Sequence, residues 1–391
     1  MQSRFPRRLL KAGLVVLAAA MTVGCSDNKV TGTTAPTVSF RFAVTDDSRA
    51  AGGGPVSPGP SAGFGQVNLA QNNGVSSTVM AAIAADIVAQ NAIQKIDLVM
   101  FPGDMITGED QDPTHLSSEM DTWKGVMAPV YGAAIPVYTV RGNHEYAYTS
   151  SVGATNPADP SLATYKTHFP LSAIATSPAG AENALTYSFT YKNAKFIAFD
   201  QYAGRTASFS NQLYAPGSNK GQMMNSWVLD QLNNSTAGVN FVMAHEQIWP
   251  TVSHPDCLAN DPDSRDALVH ALGTHNGTYF AGHDHMYIRG TITNGADKAP
   301  SLVVGTGGGG NYDYAPYDVV AKGYTGASTY SVKKSISSSA NPTFGWLLIT
   351  VYSDNTWDAQ FRGFQFNKWN NATDASLTAI TVMDTFKKSD F

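Results

Sequence analysis

The stretch YFAGHDHMY, residues 279–287, ends a short apolar run on Gly282 and then spends His283, Asp284 and His285 within one turn. A short continuous apolar run of this length reads as a strand. The same arrangement recurs along the chain. VSFRFAVT (38–45) runs into Asp46-Asp47, IDLVMF (96–101) into Pro102-Gly103-Asp104, and IPVYTV (135–140) into Arg141-Gly142-Asn143-His144-Glu145. VNFVMA (239–244) stops at His245, and SLVV (301–304) at a Gly-rich stretch. That last stretch lacks the Lys-Ser/Thr of a phosphate-binding loop and reads as a turn.

Between these runs lie helical segments. SSTVMAAIAADIVAQNAI (76–93) is Ala-rich with a Ser-Ser start suited to an N-cap, and NSWVLDQLNN (225–234) suits a second helix. LTYSFTY (185–191) and KFIAFD (195–200) form a strand pair about Lys192-Asn193, and FGWLLITVY (344–352) and TWDAQFRGFQF (356–366) read as further strands. GGGPVSPGPSAGFGQ (52–66) reads as a long loop. Strands mixed with helices throughout predict an α/β protein whose sheets are covered by helices.

The chain has 391 residues, 43% hydrophobic and only 14% charged, with a net charge of -5. It is long enough to bury a large core, and its charge gives no basis for a nucleic-acid-binding patch. The N-terminus has the three parts of an export signal: a basic start (Arg4, Arg7, Arg8, Lys11), an apolar run to Val23, and Gly24-Cys25. Residues 1–24 are therefore expected to be a signal peptide and 25–36 a polar tether. Gly-Cys resembles a bacterial lipoprotein cleavage site, with Cys25 as the lipidated first residue of an exported protein of the periplasm or cell envelope. Contact with a membrane is expected only through that anchor. A plain cleaved signal with an incidental cysteine is the alternative. The other cysteine, Cys257, cannot form an internal bridge in the mature chain.

The side chains at the strand ends form a coherent set. Asp47, Asp104, Asn143, His144, His245, His283 and His285 follow five separate runs, and α/β folds place ligand sites beyond the carboxyl ends of strands. Carboxylates, an amide oxygen and imidazoles suit borderline metals such as Mn, Zn or Fe.

GDMITGED (103–110), RGNHEY (141–146), VMAHEQ (242–247) and AGHDH (281–285), in this order, resemble the motifs of the calcineurin-like metallophosphoesterases. This family includes purple acid phosphatases and many phosphodiesterases. Its pattern is Asp-x-His, Gly-Asp, Gly-Asn-His-Asp/Glu, a lone His, then Gly-His-x-His. GQMMNSWVLDQL (221–232) resembles the Gln-x-x-Trp-Leu helix of the purple acid branch, and VVGTGGGG (303–310) its Gly-rich strand end. The resemblance implies two mixed β-sheets packed as a sandwich and flanked by helices over 37–365, with 366–391 an extension of the same domain. It implies hydrolysis of a phosphate mono- or diester by a metal-bound hydroxide at a centre of two divalent or trivalent ions. Carried over by position, Asp104 bridges the ions, Asn143, His245 and His283 complete the second site, and Asp47 and His285 belong to the first. Asp284 points away or orients a ring. His144 faces the substrate, protonating the leaving oxygen or stabilising the transition state.

Three departures stand out. Arg49 takes the place of the first motif's His; it either clamps a phosphate oxygen or pairs with Asp46. Asp46 competes with Asp47 as ligand, and the spacing to position 49 favours Asp47. Thr107 stands where purple acid phosphatases have a metal-binding Tyr, and the 52–66 loop widens the gap between the first two motifs. Arg49 also keeps open the alternative of a non-catalytic surface binding lipoprotein that retains the fold. His115, His168, His254, His270 and His275 have no motif support and are expected at the surface.

Overall fold

The computed structural model describes residues 35–50, 73–108, 113–145, 160–180, 183–202, 219–249, 251, 262–310, 326–336, 342–365 and 379–391. The expected export signal with Cys25, the stretch 52–66 expected as a loop, His254 and Cys257 lie outside the described residues.

The chain begins with β1 (Val38–Val44), α1 (Ser77–Ile93), β2 (Leu98–Phe101), α2 (Pro113–Val126), α3 (Ala128–Gly132) and β3 (Val137–Thr139). Next come α4 (Pro160–His168), β4 (Tyr187–Tyr191), β5 (Ala194–Phe199), α5 (Asn219–Asn233), β6 (Val239–Ala244), α6 (Pro262–Thr274) and β7 (Gly277–Ala281). It closes with β8 (Tyr287–Asn294), β9 (Asp297–Val304), β10 (Thr329–Ile336), β11 (Thr343–Tyr352), β12 (Trp357–Gln365) and β13 (Thr381–Lys387). The strands form two mixed sheets, ordered β13-β12-β11-β1-β2-β3 and β10-β8-β9-β7-β6-β5-β4. In the first, β1, β2 and β3 are parallel. In the second, β5, β6, β7 and β9 are parallel. β11 closes against β1 antiparallel, with Phe42 opposite Ile349.

Alternation along the strands sets the layers. Phe40, Phe42 and Val44 of β1 join Phe196, Phe241 and Phe280 of the other sheet in one buried cluster. The Phe42 ring lies 4.8 Å from that of Phe241 and 5.2 Å from that of Phe196. Ala43, between them, faces the opposite way, into a second cluster with Val79, Met80 and Ile83 of α1. Two faces are thus buried on each sheet, which is why these strands read as unbroken apolar runs. Each fully buried Phe contributes about 1.5–3 kcal/mol of transfer free energy.

α1 buries Val79, Met80, Ile83, Ala84 and Ile87, a stripe at helical spacing. Its Asp86 accepts hydrogen bonds from Trp346 Nε1 (2.9 Å) and Arg362 Nε (2.8 Å), tying the helix to β11 and β12. The expected serine cap takes a different form: Ser76 makes no side-chain cap. Its hydroxyl donates instead to the carbonyls of Arg49 (3.0 Å) and Gly308 (2.9 Å), joining two loops at the rim.

Among the described residues, α2, α3, α4, α6, β8, β10 and β13 escape the sequence reading. β10 and β13 are edge strands with largely exposed side chains and lysines, so they show no apolar run. β13, inside the 366–391 segment, pairs antiparallel with β12 and extends the first sheet. No helix among the described residues is long and apolar enough to cross a membrane.

Candidate metal centre

Five strands from the two sheets deliver their carboxyl ends to one rim, and the polar side chains follow directly. β1 runs into Asp46 and Asp47, β2 into Asp104, β3 into Asn143 and His144, β6 into His245, and β7 into His283 and His285. The loop after β9 locks the first of these: Gly307 N–H donates to the Asp46 carbonyl (2.6 Å) and Gly309 N–H to that of Asp47 (2.7 Å). The turn read from the Gly-rich stretch thus clamps the loop after β1. Trp123 Nε1 donates to Ser48 Oγ (2.9 Å), anchoring that loop from α2.

The backbone bends sharply to achieve this. Asp47 (φ 58°), Asp104 (φ 46°) and His283 (φ 67°) all occupy the left-handed region. Each such residue costs on the order of 1–3 kcal/mol and persists only where its surroundings hold it. Gly103, with φ 130°, has no alternative: an added Cβ would sit 2.6 Å from Gly142 N and 2.8 Å from His245 Nδ1.

The expected residues come together. Donor atoms of Asp104, His245 and His283 lie within 4.8 Å of one another, and so do those of Asp47, Asp104 and His285. Asp104 is common to both groups. His245 Nε2 is 3.3 Å from Asp104 Oδ1 and 3.2 Å from Asn143 Oδ1, while His285 Nε2 is 3.5 Å from Asp47 Oδ1. His283 N–H donates to Asp47 Oδ2 (2.8 Å), and His285 Nδ1 donates to the Gly310 carbonyl (2.9 Å). His283 and His285 fall in different groups. Asp284, fully buried between them, turns away: its Oδ2 accepts from Gln247 Nε2 (3.2 Å) and Thr251 Oγ1 (2.5 Å), holding the loop after β6.

Glu145 does not join the cluster. Its two oxygens accept backbone N–H groups of Asp104 (2.9 Å), Met105 (2.7 Å), Ile106 (3.2 Å) and Gly142 (2.7 Å), which fixes the loops after β2 and β3 together. Thr107 donates its hydroxyl to the carbonyls of Ala50 and Gly74, away from the donors. His115, His168 and His270 lie instead beside Glu119, Asp121 and Asp297 respectively.

Arg49 corrects one expectation. It does not pair with Asp46; its Nε lies 3.4 Å from Asp104 Oδ2, with the side chain 19% exposed. His144 lies on the same carboxylate, Nε2 at 3.8 Å, and donates Nδ1–H to the Thr107 carbonyl. Burial, and then the Arg49 charge, push the His144 pKa down to about 3. Burial alone would raise Asp104, but the charge of His245 beside it, and then that of Arg49, hold it well below the usual carboxylate range. Burial and then the Asp104 charge push Glu145 up to about 8, against the pull of its N–H donors.

Two further features fall outside the expected set, in which Asp46 stood only as a rival of Asp47 for the ligand role and as a partner for Arg49. Asp46 faces His245, its Oδ2 3.5 Å from Nδ1; the Asp-Asp doublet was the available signal. Arg141 and Asp200 form a fully buried ion pair at 2.7 Å beneath the loop after β3, for which the sequence carried no sign.

The donor set fits metal ions on its own evidence. Both oxygens of Asp46, Oδ1 of Asp47 and Nδ1 of His245 are buried and have no hydrogen-bond partner among the described residues. Buried charges persist when they are paired or coordinate metals. A model of the calcineurin-like phosphoesterase family matches residues 78–287, more than half of the chain. The chain belongs to the calcineurin-like phosphoesterase family. The match begins after Asp46, Asp47 and Arg49, so these rest on geometry alone.

Solved structures of this phosphoesterase fold agree. The chain is similar to the purple acid phosphatase PPD1 from yellow lupin (Lupinus luteus) seeds at 17% identity and a TM-score of 0.54, over 90% of this chain and 54% of that one. The chain thus spans about half the length of the lupin protein. It is similar to PhoD at 16% identity and a TM-score of 0.54, over 90% of this chain and 70% of that one. No curated protein sequence matches it.

Proposed function

We propose that this phosphoesterase hydrolyses phosphate mono- or diesters at a centre of two divalent or trivalent ions, of Mn, Zn or Fe. The observation that carries the reading is Asp104, whose carboxylate is shared by two donor groups built from separate strands. Asp104, Asn143, His245 and His283 would hold one ion, and Asp47, Asp104 and His285 the other. Two bound cations supply charge neutralisation at phosphorus and lower the pKa of a water for attack.

The protein's own groups do the rest. Arg49, fixed beside Asp104 and partly open to solvent, presents a planar fork suited to a phosphoryl group. His144 keeps its Nδ1 proton on Thr107 and turns Nε2 toward the site. Its depressed pKa leaves the free imidazole neutral. To act as proton donor to the leaving oxygen it would first take up a proton at Nε2 from solvent, an uptake that the negative charge of a bound phosphate ester favours against burial and the Arg49 charge.

The test strips the protein with a chelator and assays a chromogenic phosphodiester and monoester before and after adding Mn, Zn or Fe. Turnover should vanish with the metal and return with it. Undiminished turnover in demonstrably metal-free protein overturns the reading. Two ions bound with no turnover on any ester would favour the binding lipoprotein.

The proposal includes export and lipid anchoring at Cys25. It is supported by the basic, apolar and Gly24-Cys25 segments in succession.

A further inference from the structure

We propose that Asp46 is a positioning residue: its carboxylate holds the Nδ1 edge of His245 and turns Nε2, lone pair outward, toward Asn143 and Asp104. The inference rests on the two-ion reading and concerns a residue outside that ligand set.

The His245 ring is fully buried and stands between two groups. Nε2 faces Asn143 Oδ1 at 3.2 Å and Asp104 Oδ1 at 3.3 Å, while Nδ1 faces Asp46 Oδ2 at 3.5 Å. Neither Asp46 oxygen nor His245 Nδ1 has a hydrogen-bond partner among the described residues. A fully buried carboxylate left so is costly, and the ring edge it faces, Nδ1 at 3.5 Å, is an N–H donor it can take. A metal-bound imidazole commonly donates its other N–H to a carboxylate or carbonyl, which fixes the tautomer and the ring plane.

The backbone around Asp46 is shaped for this contact. Its carbonyl is held by Gly307 N–H at 2.6 Å. Gly282 packs against the carboxylate so closely that a Cβ there would lie 1.6 Å from Oδ2. Gly282 N–H in turn donates to the His245 carbonyl at 2.9 Å, so one glycine fits against both partners. The other use of Asp46 is as a direct ligand, since its donor atom lies within 4.8 Å of those of Asp47 and His245. Nδ1 is the nitrogen on that side, while Nε2 faces Asp104. A ring with metal on both nitrogens would have to lose its last proton. The hydrogen-bonding role avoids that cost.

The test is metal binding, without substrate. Metal-free wild type, Asp46→Ala and Asp46→Asn are titrated with Mn(II), the free ion followed by electron paramagnetic resonance. Asp46→Ala should weaken one of two sites by about 10- to 100-fold. Asp46→Asn, whose Oδ1 still accepts from Nδ1–H, should stay within a few-fold of wild type. Asp46→Ser, too short to reach the ring, replaces the alanine variant should that one not fold. The loss should persist in a His285→Ala background, where only the His245 site remains intact. Equal binding of two ions by wild type and Asp46→Ala overturns this inference alone. A loss abolished by His285→Ala makes Asp46 a ligand of the other site and overturns it too. A wild type that binds no ion overturns the two-ion reading and this inference with it.

Discussion

Replacing Arg49 by alanine should separate metal binding from substrate binding, moving them in opposite directions. Arg49 Nε lies 3.4 Å from Asp104 Oδ2, and the carboxylate is only 1% exposed. At that separation the Coulomb attraction is about 1.2 kcal/mol at the dielectric of water and about 4.9 kcal/mol at an effective dielectric of 20. The side chain is 19% exposed, while Nε is buried and makes no hydrogen bond, so a value between these limits, about 1.5–2.5 kcal/mol, is appropriate. A cation bound by Asp104 must overcome that competing attraction. Arg49→Ala removes it, and metal affinity should rise about tenfold or more, one decade per 1.36 kcal/mol. The same variant loses a charge-assisted hydrogen bond to the phosphate ester, worth about 1.5–3 kcal/mol, so KM should rise by at least about tenfold. Arg49→Lys keeps the charge but loses the fork; it should bind metal like wild type and show an intermediate KM. Metal titration of the three proteins, with steady-state kinetics at saturating metal, checks both halves. If Arg49→Ala changes neither metal affinity nor KM, Arg49 acts on neither the carboxylate nor the substrate, and the reasoning fails.

His144→Ala should lower turnover by about 100- to 10,000-fold on esters with poor leaving groups and much less on good ones, with metal content near that of wild type. An equal loss on both classes of ester would remove the acid role. Asp200→Ala leaves the fully buried Arg141 guanidinium without its carboxylate. It should cost about 3–5 kcal/mol, read as a lower urea midpoint; a shift worth under about 1 kcal/mol would show that water reaches the pair. The native exported product should begin at Cys25 with added lipid mass and partition into detergent, and a mature N-terminus elsewhere would refute anchoring there.

Much of the fold was legible because its central strands are buried on both faces. Burial on two sides removes the polar residues that would otherwise alternate, so β1, β2, β6 and β7 stand out as apolar runs that stop where their residues reach the rim. The polar residue after most stops marked the site, although Asp200 after β5 serves a buried ion pair with Arg141 instead. The edge strands β10 and β13 carried no such contrast, because one side of each meets water. Sequence order also could not say which carboxylate of the Asp46-Asp47 doublet faces which imidazole. That depended on the left-handed turn at Asp47, on the Gly307 and Gly309 N–H clamp, and on the close approach of Gly282. Arg49 was the same kind of problem. Its type ruled out a metal ligand, for it has no lone pair to offer, but its partner was fixed by geometry. The parallel register of β1 with β2 brings the loops after those strands together, and so places the guanidinium beside Asp104 instead of its near neighbour Asp46. Residue type set what each group can do; the meeting of two sheets at one rim decided which groups do it together.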